Sequence, residues 1–389
     1  MSQNAWIKLA LLANGISLAP EFITWFGGTD GYVRRRNFYN SPNWGPTDAP
    51  APPQELRLSG ERSVTVAVND YGQTRWQLTW SEETGPVVVS DLLPEGQPVE
   101  LVTDLSTLHS DAEIARVSNL YGGSALAFFS PRACYFFAEG TGCRFCSLDG
   151  TARENGEFAG RLTYDEVRNA VATVIAGDRK AINQVMIVGG NERDLDRGFR
   201  NQLKLVHAAS DALVEAGLTD QVSVHLVAMP PRDLDIIDAL GEIPNVHAGF
   251  DLEAWDPERF AAIAPGKHAD YGQKSILTAL ERLRDVVGPY RAHSILIAGL
   301  EPAKSTLAGA QKLAAEGISP IINAYHSDRH SALGLSIRPT YRHLAEVASG
   351  LQELHDAFPI QPYWKGCGRN AMDFEASHGM FRGAVPQYS

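Results

Sequence analysis

From Gly122 to Tyr325 the chain repeats one unit, a short apolar run followed by a longer stretch of helical periodicity, and that rhythm restricts the fold more than any other feature. ALAFFS from Ala125, INQVMIV ending at Val188, SVHLVAM from Ser223, VHAGFDL at 246–252, HSILIAGL at 293–300 and SPIINAY at 319–325 each read as a strand. Amphipathic stretches lie between them, among them 164–176 and 201–216. Runs that are apolar on successive residues belong to strands covered on both faces, and strand alternating with helix builds a parallel sheet through right-handed crossovers. Six such strands with five helices predict an α/β fold, a partial or near-complete parallel (β/α)6 barrel of the TIM type. In that architecture chemistry gathers at the C-terminal strand ends. Cysteines follow the first strand there, GGNE (189–192) follows the second, Asp251 and Glu253 end the fourth, and Gly299 with Glu301 ends the fifth.

The flanks lack this rhythm. Residues 1–122 read as an N-terminal accessory region that is partly β, 123–330 as the barrel core, and 331–389 as a C-terminal extension whose helix is followed by a segment covering the barrel mouth. SVTVAVND and TRWQLTWS alternate with period two about Tyr71 and Gly72, which predicts a hairpin. Residues 32–55, rich in proline, asparagine and aromatics, predict an irregular segment. The apolar run Trp6–Ala13 has no basic residues before it and is too short to span a bilayer, so neither export nor a membrane anchor is expected, and a cytoplasmic location is. A formal charge of −12 argues against a duplex nucleic-acid surface, which needs cations to replace phosphate counterions.

CYFFAEGTGCRFC, residues 134–146, holds three of the four cysteines. Cys143 and Cys146 are spaced to reach one metal or cluster, Cys134 lies further upstream, and Gly140 and Gly142 give the loop room to wrap. Spacing alone leaves several readings open: an iron–sulfur cluster with one iron free, a zinc site completed by Cys367 or a histidine, a redox CxxC pair, or buried thiols that only pack. GLEPAKST (299–306) lacks the glycine and spacing of a phosphate loop. Lys267 reads as an exposed loop lysine, with reach to an acidic group of a bound ligand as the weaker reading. His326 reads as a polar group facing the mouth, with metal binding by His326 and His330 as a weaker reading. Cys367, between two glycines in the tail, reads as a candidate hydrogen-atom donor, a substrate contact or a pocket filler.

The ordered series resembles the radical S-adenosylmethionine enzymes, whose usual signature is CxxxCxxC after the first barrel strand, with an aromatic residue before the last cysteine. Phe145 stands in that place, and the first gap is eight residues instead of three. The resemblance implies a [4Fe-4S] cluster on Cys134, Cys143 and Cys146. It implies S-adenosylmethionine contacts from Gly189, Gly190 and Glu192 after the second strand, from Asp251 and Glu253 at the fourth, and from Ile297 and Gly299 at the fifth. It further implies reductive cleavage to a 5′-deoxyadenosyl radical that abstracts hydrogen from a substrate, here expected to be a small polar metabolite undergoing rearrangement, elimination or oxidation. A reducing partner such as flavodoxin or ferredoxin is implied as well, and peptide modification and a non-redox zinc protein are the alternatives.

Overall fold

The computed structural model of the chain describes residues 1–27, 55–69, 74–102, 112–154, 160–177, 182–328, 330–335 and 337–383. Two sheets organise them. The first contains β1 (Ser17–Leu18), β2 (Glu55–Leu58), β3 (Val64–Ala67), β4 (Trp76–Ser81), β5 (Gly85–Ser90) and β6 (Gln97–Leu101), in the spatial order β1-β4-β5-β6-β2-β3. The second contains β7 (Ser118–Tyr121), β8 (Ala125–Phe129), β9 (Gln184–Val188), β10 (Ser223–Ala228), β11 (Val246–Phe250), β12 (Ala292–Ala298) and β13 (Ser319–Ala324). From β8 to β13 neighbours in space are neighbours in sequence and every pairing is parallel. This is a partial TIM-like (β/α) barrel with N- and C-terminal extensions.

The strands sit where their burial pattern demands. Every residue of β8, β9 and β11 is buried, because helices cover one face and the barrel interior the other. The helix Tyr164–Ala176 opens on a capping box in which the Thr163 and Glu166 side chains each bond the other's backbone N–H. The helix expected at 201–216 begins earlier, at Leu195, because the Asp194 carboxylate accepts from the Arg197 N–H and starts it there. β7, an antiparallel strand on the edge of β8, is too short and mixed (SNLY) to have announced itself.

One pairing expectation is corrected. β3 and β4 exist, but they do not form a hairpin: β3 pairs with β2, and β4 pairs with β5. Only Glu82–Thr84 separate Ser81 from its partner Gly85, whose φ of 71° supplies the left-handed residue that a tight reversal needs. That short closure wins over the longer one. The Tyr71–Gly72 turn lies outside the described residues, and so does the irregular 32–55 segment except for Glu55, which opens β2. The Trp6–Ala13 run belongs to a helix, Gln3–Asn14, buried along its length against β3 and the helix Tyr341–Ala357. No helix among the described residues is long and apolar enough to cross a membrane.

The C-terminal segment crosses the open side of the barrel. Ala371 bridges Asn323 on β13, with Ala324 N–H donating to Asn370 O at 2.8 Å, while Lys365 O accepts from Asn183 Nδ2 at 2.7 Å beside β9. Its other side meets the first sheet, where Ala67 N–H donates to Arg369 O and Thr65 Oγ1 to Gly366 O. Both sheets therefore position the residues that this segment carries.

A layer of histidines underlies the barrel interior. His225 and His247 are register partners on β10 and β11 and stack at 4.8 Å, and the rings of His225 and His293 pack on Tyr363. A Cβ on Gly249 would fall on the His293 ring, so glycine makes its space. Burial, with His247 adding to it, pushes His293 down to about 3. Its ordinary value in an unfolded chain is near 6.5. The stability held by a neutral ring is therefore complete above pH 6.5 and is lost as pH falls below it, at about 1.4 kcal/mol per unit. His293→Gln removes this term, so the stability gap between variant and parent is expected to narrow by roughly 2 kcal/mol from pH 7 to pH 5 in urea titrations. A constant gap would contradict the burial account.

Candidate functional site

A cavity of about 280 Å³ opens at the C-terminal ends of the parallel strands. The loop after β8 forms one wall, the ends of β9 to β13 form the floor and opposite side, and the C-terminal segment closes the remainder. Of the expected site residues, Cys134, Cys143, Cys146, Phe145, Gly189, Gly190, Asp251, Glu253, Ile297 and His326 line it. Glu192, Gly299 and Cys367 do not.

The cysteine loop is held from three directions. Tyr135 N–H donates to Asn191 O after β9, Gly266 N–H to Thr141 O, and Arg144 bonds Ile263 O through its N–H and Leu333 N–H through its carbonyl. Burial pushes the Cys146 thiol up to about 12 and the Cys143 thiol further still. A redox CxxC pair needs the opposite, a thiol pKa lowered toward neutrality. Among the described residues no group of three or more His, Cys, Asp or Glu side chains stands so as to hold a single metal ion. The three cysteines share a wall without converging on one point.

The glycine pair has a reason in packing. A Cβ on Gly189 would stand 2.6 Å from the Ser130 carbonyl carbon, and one on Gly190 would fall on the Ala133 carbonyl, so both glycines let the end of β9 lie directly against the backbone entering Cys134. Their free sides line the cavity. Glu192, expected beside an ammonium group there, is corrected: its carboxylate points away and binds Arg161, Arg197 at 3.0 Å and Asn201 at 2.9 Å. Burial would raise its pKa, but those donors outweigh it and hold Glu192 below the usual carboxylate range. Asn191 takes the facing position, its amide 3.7 Å from the Cys134 sulfur.

On the opposite side Lys267 is 8% exposed and bonds the Glu253 carboxylate at 2.7 Å and the Asp251 carbonyl at 3.1 Å. The exposed loop lysine expected from sequence is thus a buried partner, presented by the helix Pro265–Asp270. Glu253 adopts φ 67° while its backbone bridges Leu296, which turns its side chain to the cavity. Burial first and the Glu253 charge second raise Asp251 to about 7, against the pull of Lys267. Gly299 is corrected too: its φ is 102°, its N–H donates to His343 Nε2, and Pro339 fills the space where a Cβ would point. Glu301 clamps the preceding loop, accepting from Trp255 and Asp256 N–H and from Thr306 Oγ1.

Cys367 is fully buried, with its thiol 3.4 Å from Gln184 Oε1 and its backbone against Gly122. Of the readings open from sequence the structure supports packing, because the sulfur does not reach the cavity. His326 faces the cavity, and burial with Arg369 nearby pushes its pKa down to about 3, so the ring is neutral. The 325–328 backbone is not helical, which removes the i, i+4 geometry that would have paired His326 with His330.

Sequence reasoning missed Arg369, Asn323, Tyr121 and Trp364, all on the cavity wall. Arg369 is 3% exposed, bonds Glu55 at 2.8 Å and lies 4.6 Å over the Tyr121 ring.

No protein-family model matches the sequence. Bacteriochlorophyllide c C-7(1)-hydroxylase of Chlorobaculum limnaeum is 29% identical over 201 residues, 48% of this chain and 48% of that protein, so the chain spans about half the length of this curated relative. Among solved structures, methylornithine synthase is matched over 63% of this chain and 67% of its own at 13% identity and TM-score 0.42. A radical SAM methyltransferase from Sphaerobacter thermophilus is matched over 72% and 75% at 13% identity and TM-score 0.41. The hydrogenase maturase HydG of Carboxydothermus hydrogenoformans is matched over 68% and 62% at 16% identity and TM-score 0.43. These scores are low, and the partial barrel stands on this chain's own strand order and register.

Proposed function

We propose that the chain is a radical S-adenosylmethionine enzyme acting on a small polar molecule. The observation that carries this reading is the meeting of Cys134, Cys143 and Cys146 on one wall of one cavity, at the strand ends where a partial barrel performs chemistry. A single zinc ion asks its ligands to converge on one point, whereas a four-iron cluster spreads its thiolates over different irons. Three thiolates are the donors that a four-iron cluster takes, and Cys134, Cys143 and Cys146 would hold it. Bound there, a [4Fe-4S] cluster supplies the electron that cleaves S-adenosylmethionine reductively and so provides the radical for hydrogen abstraction.

The chain's own residues do the rest. Gly189, Gly190 and Asn191 offer close backbone approach and an amide beside Cys134. Asp251 and Glu253 offer acceptors for ribose hydroxyls, with Lys267 neutralising Glu253, and Ile297 gives an apolar surface for adenine. Phe145, Tyr121 and Trp364 exclude water from the reacting centre. The hydroxylase named above favours oxidation among the outcomes open to this chain. An external reductant such as flavodoxin or ferredoxin is required.

Metal content tests the donor set. Anaerobic reconstitution with iron and sulfide is expected to give about four irons per chain in the parent and far fewer in Cys143→Ala. One tightly held zinc that survives this treatment would overturn the assignment.

A further inference from the structure

The helix Pro265–Asp270 is fastened to the cysteine loop at both of its ends. Arg144 N–H donates to Ile263 O at 2.8 Å and Gly266 N–H to Thr141 O at 3.0 Å, so two backbone bonds bracket Cys143. A Cβ on Gly266 would stand 2.4 Å from the Phe136 ring and 2.7 Å from the Thr141 oxygen, so the two segments pack without room for a side chain between them. At the far end Tyr135, next to Cys134, donates its hydroxyl to Asp270, and Arg232 holds the same carboxylate at 2.6 Å. The helix therefore keeps one position relative to both cysteines.

What the helix places there is a charge. Lys267 follows Gly266, donates to Glu253 at 2.7 Å, and lines the cavity together with Glu253, Cys143 and Cys146. Both partners are more than nine-tenths buried, so water and salt screen their fields weakly. Burial dominates at the Cys143 thiol, but after it the Lys267 charge pulls that thiol down and the Glu253 charge pushes it up, and the same two charges act on Cys146. An electron added to a cluster on these sulfurs is one more negative charge in the same place. A neighbouring cation favours that electron, and a neighbouring anion opposes it.

We infer that Lys267 tunes the reduction potential of the cluster site, raising it by enough to offset the buried Glu253 carboxylate beside it. The pair lets a carboxylate stand at the cofactor end of the cavity without making the cluster harder to reduce. This rests on the proposed function, in which Cys134, Cys143 and Cys146 hold the cluster. Lys267 is neither a ligand nor a proton donor in it: one electron enters from the external reductant, and no bond forms or breaks.

Redox titration of the parent, Lys267→Met, Glu253→Gln and the double variant tests this. Each full chain is loaded with iron and sulfide and titrated anaerobically without S-adenosylmethionine, with reduction followed by the EPR signal of the reduced cluster. Lys267→Met is expected to lower the reduced-to-oxidised ratio at a fixed potential by about tenfold, a fall of ~59 mV for one electron, and Glu253→Gln to raise it by about tenfold. With both charges gone, the double variant is expected to lie within about threefold of the parent. A loop merely displaced by lost packing would shift every variant the same way, so opposed signs separate charge from structure. Glu253→Gln keeps the size of the side chain and an acceptor for Lys267, and it decides alone if Lys267→Met fails to load. Single variants that shift in the same direction, or a Glu253→Gln ratio within about threefold of the parent, would overturn the inference. The two readings fail separately. Opposed shifts in protein that leaves S-adenosylmethionine intact keep the tuning and remove the radical enzyme, cleavage by a cluster indifferent to the pair does the reverse, and a parent that takes up no iron removes both.

Discussion

Gly190→Ala is expected to abolish most iron uptake and to destabilise the chain by about 3 kcal/mol, the upper part of the range for overpacked sites. The reason is the kind of atom the new methyl would meet. Around Gly190 it is backbone, the Ala133 carbonyl and the Cys134 nitrogen at 2.7 Å, so no rotamer change relieves the clash and the cysteine loop must lift from the end of β9. Lifting it breaks the Tyr135 N–H bond to Asn191 and moves Cys134 relative to Cys143 and Cys146. Gly140, in the same loop, is the internal control. Its φ is 71°, but nothing lies within 4 Å of a Cβ there, so Gly140→Ala costs only the left-handed backbone preference, about 1 kcal/mol. Urea titrations and iron content of the two variants separate the cases, and equal losses would show that close packing of the loop is not what fixes the cysteines.

Lys8→Met is expected to cost about 3–5 kcal/mol, because it leaves a buried carboxylate without its cation. Lys8 is 0% exposed and bonds Glu375 at 2.8 Å and Gly368 O at 2.7 Å, and Glu375 is itself 1% exposed. With unfolding entropy near 2 cal/mol/K per residue, 4 kcal/mol corresponds to roughly a 5 °C fall in Tm for a chain of this length. Adding Glu375→Leu removes the stranded charge, and the double variant should recover most of the loss. The pair also fixes Gly368, next to Arg369 and Asn370, so the single variant should loosen the cavity wall and raise amide exchange across 364–371. A single variant as stable as the parent would mean that the network is not closed in solution.

The barrel was legible because its strands are buried on both faces, which writes them as unbroken apolar runs: QVMIV and VHAGF are buried at every position and were found within a residue or two. The three cysteines were legible for a related reason, since a loop between two such runs delivers them to one end of the sheet. Long-range pairing was not. Lys267 looked like loop lysine because Glu253, its partner, stands fourteen residues away on another element, and Arg369 meets Glu55 across 314 residues. Glu192 misled because a GGNE string does not say which of its polar residues turns inward. Cys367 misled because its burial beneath Gly122 and Gln184 depends on how the tail crosses the open side of the barrel. The β3–β4 expectation failed on loop length, the three-residue turn between β4 and β5 being the cheaper closure.

The most direct measurement is product analysis after a single anaerobic reduction. Reconstituted protein mixed with S-adenosylmethionine and dithionite should release 5′-deoxyadenosine and methionine in equal amounts, and Cys134→Ala, Cys143→Ala and Cys146→Ala should each release none. Intact S-adenosylmethionine after reduction of a four-iron protein, or cleavage that persists in the cysteine variants, would contradict the radical reading of this cavity.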